Sequence, residues 1–437
     1  MRWTAADVAG ITGGSAVGSA EITGVSTDTR TLKPGDLFVA LRGENFDGAA
    51  FAGEALAGGA AAVMVDHPVP LEPRIEVPDT LVALRRLAEA RRGELADLRT
   101  VGITGSTGKT SCKDLLASAL GRGTWASPRS FNNEIGVPLT LLSTPPDSEV
   151  AVLEVGSRGV GHIRTLIDVV RPDVAIITGI GASHLATLGT VEMVRTAKWE
   201  LVQGLGPAGV AVLPVDDPVL LEWADRDGVQ VTTFGAGGDV SVGEVVLDDL
   251  ARPSFRLSAY GESVEVQLEM AGAHQAVNAA AATAAGLALG RALPDLASGL
   301  AEATGSSWRM EVTAGSYTVV NDAYNANPTS MTAALRTVAG MPGRHLAVLG
   351  MMAELGEASS QAHRSIGRLA RELGFETVVV VGDDPGIAEG AGDIAVSAPD
   401  VESATRAISE RVGNGDVVLV KASRSVGLEV VAGELVP

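Results

Sequence analysis

The chain has one cysteine, Cys112, in 437 residues. That excludes a disulfide framework and a cysteine-built metal site, and it fits a reducing compartment. Basic residues are also scarce: 33 Lys and Arg against 53 Asp and Glu leave a formal net charge of −20. Such a surface argues against non-specific binding to nucleic acid or to anionic membranes. Any phosphorylated ligand needs a local site of backbone N–H groups, lysines and arginines, with a divalent cation. Long apolar runs are missing too. The N-terminal "MRWTAADVAGITGG" carries no apolar leader core. The most apolar stretch, "AVNAAAATAAGLALG", is short, alanine-rich and carries Asn278, so it reads as a buried helix and not as a membrane span. No repeat of solenoid period is visible. A soluble cytoplasmic protein is expected.

What is present points to several domains. Hydrophobic residues make up 46% and charged residues 20%, so each domain can bury a core, and the length suggests about three of them. Over the first ~80 residues short strands and turns are expected: "KPGDLFVALRG" as turn and strand, "FAGEALAGGA" as helix, "AAVMVD" as strand. The stretch 79–95 has apolar residues at helical spacing behind an Asp N-cap. From about residue 97, "TVGITG", "VAVLEVG", "DVAIITG" and "GVAVLPV" alternate with helical segments such as "HIRTLIDVV". Continuous β-branched runs between helices predict a largely parallel sheet covered on both faces. A third block begins near 306. Its strands "YTVVND", "HLAVLG", "TVVVVG" and "DVVLVKA" predict a Rossmann-like domain.

The chemistry concentrates in a few segments. "VGITGSTGKTSC" sets a glycine turn between a strand and a helix, which aims N–H groups and a helix N-terminus at an anion. Lys109 would reach the β/γ-phosphates and the Thr110 hydroxyl would ligate Mg²⁺. The general pattern wants a glycine where Ile103 stands, however, and an ordinary strand-to-helix turn is the bland alternative. Glu154 and His184 fall at the ends of predicted strands, where open α/β sheets bind ligands and where they could hold a second Mg²⁺. Taken alone, they read more simply as a solvated glutamate and a loop histidine. Lys198, by spacing, is a solvated helix residue. His274 and Asn278 share one face of a helix start. Asp322, Asn325 and Asn327 crowd a turn that is either a ligand loop or an Asx-rich connection.

In order, ITGSTGKT, FNNEIGVPLT, LEVGSRGVGHI, SHLATLG, AKWEL, HQAVN, WRME, DAYNANPTSM, MAELGEASSQAH and VKASRS resemble the Mur ligase family of peptidoglycan synthesis. "STDTRTLKPGDLFVALRGENFDG" extends the resemblance to nearly full length, and the NANP and AELGE segments favour the branch that adds D-alanyl-D-alanine. The family's phosphate loop is a shortened variant, matched here by Gly105, Ser106, Thr107, Gly108, Lys109 and Thr110. The resemblance implies an α/β protein of three domains: 1–82 holding the UDP end of the substrate, 83–305 as a P-loop ATPase domain with a mostly parallel sheet, and 306–437 as a Rossmann-like domain. It implies a monomer that uses ATP and Mg²⁺ to join a UDP-linked tripeptide to D-Ala-D-Ala through an acyl phosphate.

Carried over by motif, Lys109 and Thr110 serve ATP and Mg²⁺, Glu154 and His184 bind metal, and Lys198 is the lysine that the family carbamylates. Asn278 would contact adenine, Arg309 the phosphates and Asp322 the ribose. Asn132 and Asn133 would touch the peptidyl substrate, and Ser26, Thr27, Asp28 and Arg30 lie in the uridine-side loop. Tyr324, Asn325 and Asn327 line the C-terminal side, with Lys421 and Arg424 near the incoming dipeptide. Departures from the family pattern fall at Ala49, Gly179, Gln275, Met351 and Ala422. They lie nearer the substrates than the ATP–metal core, so a Mur-type ligase serving a different acid or amine is the alternative.

Overall fold

The computed structural model describes residues 1–43, 46–128, 130–181 and 185–436. His184 therefore lies outside the described residues. The helices and strands begin where the sequence supplies caps and β-branched runs. Asp79 accepts from the Val82 N–H to start the helix Thr80–Glu94, and Thr4 and Asp7 close a capping box on the helix Ala5–Thr12.

Near the N-terminus a five-stranded sheet runs in the order Ser15–Val17, Arg74–Glu76, Ala62–Val65, Asp36–Val39, Gly24–Ser26. Only its first pair is antiparallel. The helix Thr80–Glu94 spans the expected 82/83 boundary and packs on both sides of it. Arg86 donates to the carbonyl of Thr12 at 2.7 Å, and Arg91 to that of Thr144 at 2.9 Å.

The central sheet has nine strands. Its parallel part runs Val240–Leu247, Gln230–Phe234, Val210–Pro214, Val174–Ile177, Arg99–Thr104, Val150–Glu154, Thr124–Ala126. From Arg99–Thr104 the chain moves first to one flank and later to the other. Its carboxyl end is thus the switch point where such sheets form a crevice. Sequence reasoning did not foresee Thr124–Ala126, Gln230–Phe234, Val240–Leu247, Pro253–Ala259 or Glu262–Gln267, the last two joined as an antiparallel hairpin. Pro253–Ala259 alternates buried and open positions because one face alone is covered, so it lacks the continuous apolar run of the parallel strands. "HIRTLIDVV" forms less helix than its pattern suggests: a 3₁₀ turn Arg164–Leu166 and one helical turn Ile167–Val170, ended by Arg171 in the left-handed region.

The C-terminal sheet runs Glu311–Ala314, Thr318–Asn321, Val417–Lys421, His345–Gly350, Thr377–Val381, Ala395–Ala398, parallel except for the first pair. The helix His274–Ala288 is buried along most of its alanine-rich length and packs on the helix Lys109–Leu120. No helix among the described residues is long and apolar enough to cross a membrane.

Candidate active site

The carboxyl ends of the central and C-terminal sheets face a shared cleft of about 1100 Å³. The phosphate loop lies at its floor, between the strand Arg99–Thr104 and the helix Lys109–Leu120. Gly105 and Gly108 are required by geometry, with φ of 152° and 79°. A Cβ at Gly105 would lie 1.9 Å from the Thr178 hydroxyl, and one at Gly108 would lie 2.5 Å from Oδ1 of Asn278. Gly102, the glycine one place too early for the general pattern, sits inside the strand, where a Cβ would meet Leu201 at 2.8 Å. The loop is buttressed from the neighbouring strand end: Ser106 N–H donates to the Gly179 carbonyl at 2.9 Å, and the Thr178 hydroxyl donates to the Thr107 carbonyl at 2.5 Å.

At the start of the phosphate helix, the Thr110 hydroxyl donates to Glu154 at 2.7 Å and lies 3.1 Å from the Ser130 hydroxyl. Asn132 holds the other Glu154 oxygen at 2.7 Å. Arg309, from the segment that enters the C-terminal sheet, donates to Ser130 at 2.9 Å and stacks 4.2 Å over the Tyr324 ring. Lys109 folds onto the Gly105 carbonyl at 2.7 Å. Burial lowers its pKa, Glu154 opposes that shift, and Arg309 adds to it.

Lys198 departs from its solvated-helix reading. It is 2% exposed, on the inner face of the helix Val191–Gln203. Burial, reinforced by the positive charge of Lys109, pushes its pKa well below the ordinary lysine value. Two positions on, buried Glu200 accepts the N–H groups of Gly161 and Arg164 at 2.5 and 3.0 Å and so fixes the segment that brings Arg158 and His162 to the cleft.

Across the cleft, Lys421 donates to Asp322 at 2.6 Å and to the Asn325 carbonyl at 2.8 Å. Asn327 caps the helix Pro328–Ala339, so the turn is Asx-rich, and it also lines the cleft. Arg424 lies 4.6 Å over Trp308 and pairs with Glu429. Asn278 donates to Gln275 at 2.9 Å, so one departure from the family pattern orients a cleft residue. Asn133 accepts the Ile135 and Gly136 N–H groups, a turn role beside its place in the cleft wall.

Ser26, Thr27, Asp28 and Arg30 are not in the wall of this cleft. Ser26 ends the strand Gly24–Ser26 and the others follow it, at the carboxyl edge of the N-terminal sheet. Arg30 grips Asp28 through two nitrogens, which holds that carboxyl down at about 2. Sequence reasoning missed Ser130 and Thr178, two hydroxyls without a motif signal, and the Asp114–Ser306 contact described below. Cys112 is fully buried in the phosphate helix, and burial drives its thiol pKa up, so it is inert.

Residues 103–286 match the Mur ligase middle domain, 308–424 the Mur ligase glutamate ligase domain, and 21–92 the Mur ligase family catalytic domain. The chain belongs to the Mur ligase family. Among its relatives, the UDP-N-acetylmuramoyl-tripeptide–D-alanyl-D-alanine ligase of Mycobacterium tuberculosis is 37% identical, over 100% of this chain and 98% of that protein. The Bacillus subtilis protein of the same name is 36% identical, over 95% and 93%. The crystal structure of MurF from Acinetobacter baumannii superposes with a TM-score of 0.91 at 33% identity, covering 100% of this chain and 99% of that one. MurF ligase from Thermotoga maritima in complex with ADP gives 0.83 at 30%, covering 94% and 96%. The three-domain architecture of Mur ligases is therefore that of this chain.

Proposed function

We propose that this Mur ligase joins a UDP-MurNAc-tripeptide to D-alanyl-D-alanine in the cytoplasm, acting as a monomer and converting ATP to ADP and phosphate. The observation that carries the reading is the convergence of Lys109, Thr110, Glu154 and Arg309 at the phosphate-loop mouth, in a cleft shared with Asp322 and Lys421. The full-length relatives named above support the acid and amine, and a different pair is not favoured.

The reaction begins with the terminal carboxylate of the peptide attacking the γ-phosphorus. That forms an acyl phosphate and releases ADP; the dipeptide amine then displaces phosphate, losing a proton as the amide forms. Anions that repel one another must meet, so fixed cations and excluded water dominate the catalysis. Lys109, from the loop, and Arg309, from the segment that enters the C-terminal sheet, offer those cations. The oxygen donors of Thr110 and Glu154 suit Mg²⁺, a hard cation that would neutralise charge between the phosphates. His184 and Lys198 complete the metal side of the reading. A buried lysine held neutral can take up CO₂ as a carbamate, and neutrality is what burial beside Lys109 promotes. Asn278 meets the adenine, Asp322 the ribose, Asn132 and Asn133 the peptide, and Lys421 and Arg424 the dipeptide. Residues 1–82 hold the UDP end, 83–305 the nucleotide, and 306–437 admit the amine.

A coupled ADP-release assay tests this. ADP should form only with both substrates present, and release that ignores D-Ala-D-Ala would overturn the amine assignment.

A further inference from the structure

Arg309 reaches the phosphate loop from a segment with an unusual backbone. Trp308 and Met310 on either side of it have φ of 63° and 51°, the left-handed region that non-glycine residues avoid. Two such residues persist only where the surroundings over-determine them. Downstream, the Met310 N–H donates to Asp322 at 3.2 Å, and the Tyr324 N–H to the Trp308 carbonyl at 3.2 Å. Upstream, the Ser306 N–H and hydroxyl both donate to one oxygen of Asp114, at 2.9 and 2.7 Å.

Asp114 lies on the phosphate helix itself, one turn beyond Thr110. Its other oxygen pairs with buried Lys113 at 2.9 Å, and Lys113 donates to the Ser127 carbonyl at 2.8 Å. The Ser127 hydroxyl in turn accepts the Glu154 N–H at 3.1 Å. The segment carrying Arg309 is thus tied at one end to the helix that cradles phosphate and at the other to the C-terminal sheet.

We propose that Asp114 is a positioning residue for phosphoryl transfer, fixing Ser306 so that Arg309 stands over the terminal phosphate of the nucleotide. The proposal rests on the ATP-dependent reading of the cleft, not on the identity of the acid or amine. Charge-assisted bonds to two donors are directional, and losing either lets the strained segment relax away from the loop.

The test is a double-mutant cycle on the full-length protein. Kd is measured by calorimetry for ADP and for a non-hydrolysable ATP analogue, in wild type, Asp114→Asn, Ser306→Ala, Arg309→Ala and the paired variants. Wild type should prefer the triphosphate, and each single variant should reduce that preference, Ser306→Ala by about threefold to tenfold. In the Arg309→Ala background, Asp114→Asn and Ser306→Ala should add less than about twofold, because they act through the missing guanidinium. Ser306→Ala keeps the backbone donor, so its cycle carries the test should Asp114→Asn fail to fold. Effects that multiply, equal losses of ADP and analogue, or a wild type without triphosphate preference would overturn the proposal. Wild type that binds nucleotide in this pattern yet never couples the two substrates would instead sink the acid–amine assignment and leave Asp114 its role.

Discussion

Lys198 shows how little a residue's type reveals without its surroundings. Its helix has polar neighbours at Glu192, Arg195 and Thr196, yet the amine points into the protein beside Lys109. A buried lysine with a second cation nearby opposes folding, and the protein retains it for chemistry. Lys198→Met is expected to abolish about 99% of turnover, the loss that follows when a residue supporting a metal site is removed. It should also raise unfolding stability by about 1 kcal/mol, read by urea denaturation. Retained activity would remove Lys198 from the site. Gly108 makes the complementary case. Gly108→Ala adds a methyl 2.5 Å from Asn278 at a φ of 79°, with a left-handed penalty of about 1–2 kcal/mol. It should weaken ATP-analogue binding by about tenfold while the circular dichroism spectrum stays unchanged.

Elements behave more predictably, because their ends are chemically marked. Asn327 accepts the Ser330 N–H and the Ser330 hydroxyl accepts the Asn327 N–H, a box that starts the helix Pro328–Ala339 in the cleft wall itself. Asn327→Ala should cost about 1 kcal/mol of stability, measured by thermal unfolding without ligand. Asn327→Ser, which can still cap, should restore most of it; failure of that rescue would mean that the cap is not what Asn327 contributes. The same regularity made many strands and the helix Thr80–Glu94 legible in advance: β-branched runs, an Asp N-cap, glycines at turns. The hairpin Pro253–Gln267 was not legible. Its alternation depends on which face another element covers, and that is decided by packing.

For the molecule as a whole, several depressed bases share the cleft region. Burial lowers the pKa of Lys109, Lys198, Lys421 and His274. Between each lowered folded value and the ordinary unfolded one, the unfolded chain binds more protons. Stability therefore rises with pH across that window and falls as pH drops. Unfolding free energy of the unliganded protein should increase as pH rises towards the ordinary lysine value of about 10.4, with a smaller slope in Lys198→Met. A flat profile would contradict the lowering of these groups by burial. Above about pH 9 the rise should be partly offset, since folding holds the Cys112 thiol protonated. Nucleotide binding to both walls of the cleft should protect the folded state, raising Tm with ligand concentration.

By itself the sequence determined the two βα blocks, the phosphate loop and the family, because these rest on local patterns and ordered motifs. The tertiary structure decided what depends on contacts between distant segments: the burial of Lys198, the hydroxyls of Ser130 and Thr178 around the loop, and the tie from Asp114 to Ser306. An aspartate on a helix and a serine in a linker look ordinary in one dimension. Only folding brings the two within hydrogen-bond reach, and the energy of that bond depends on distance and burial, which no local pattern encodes.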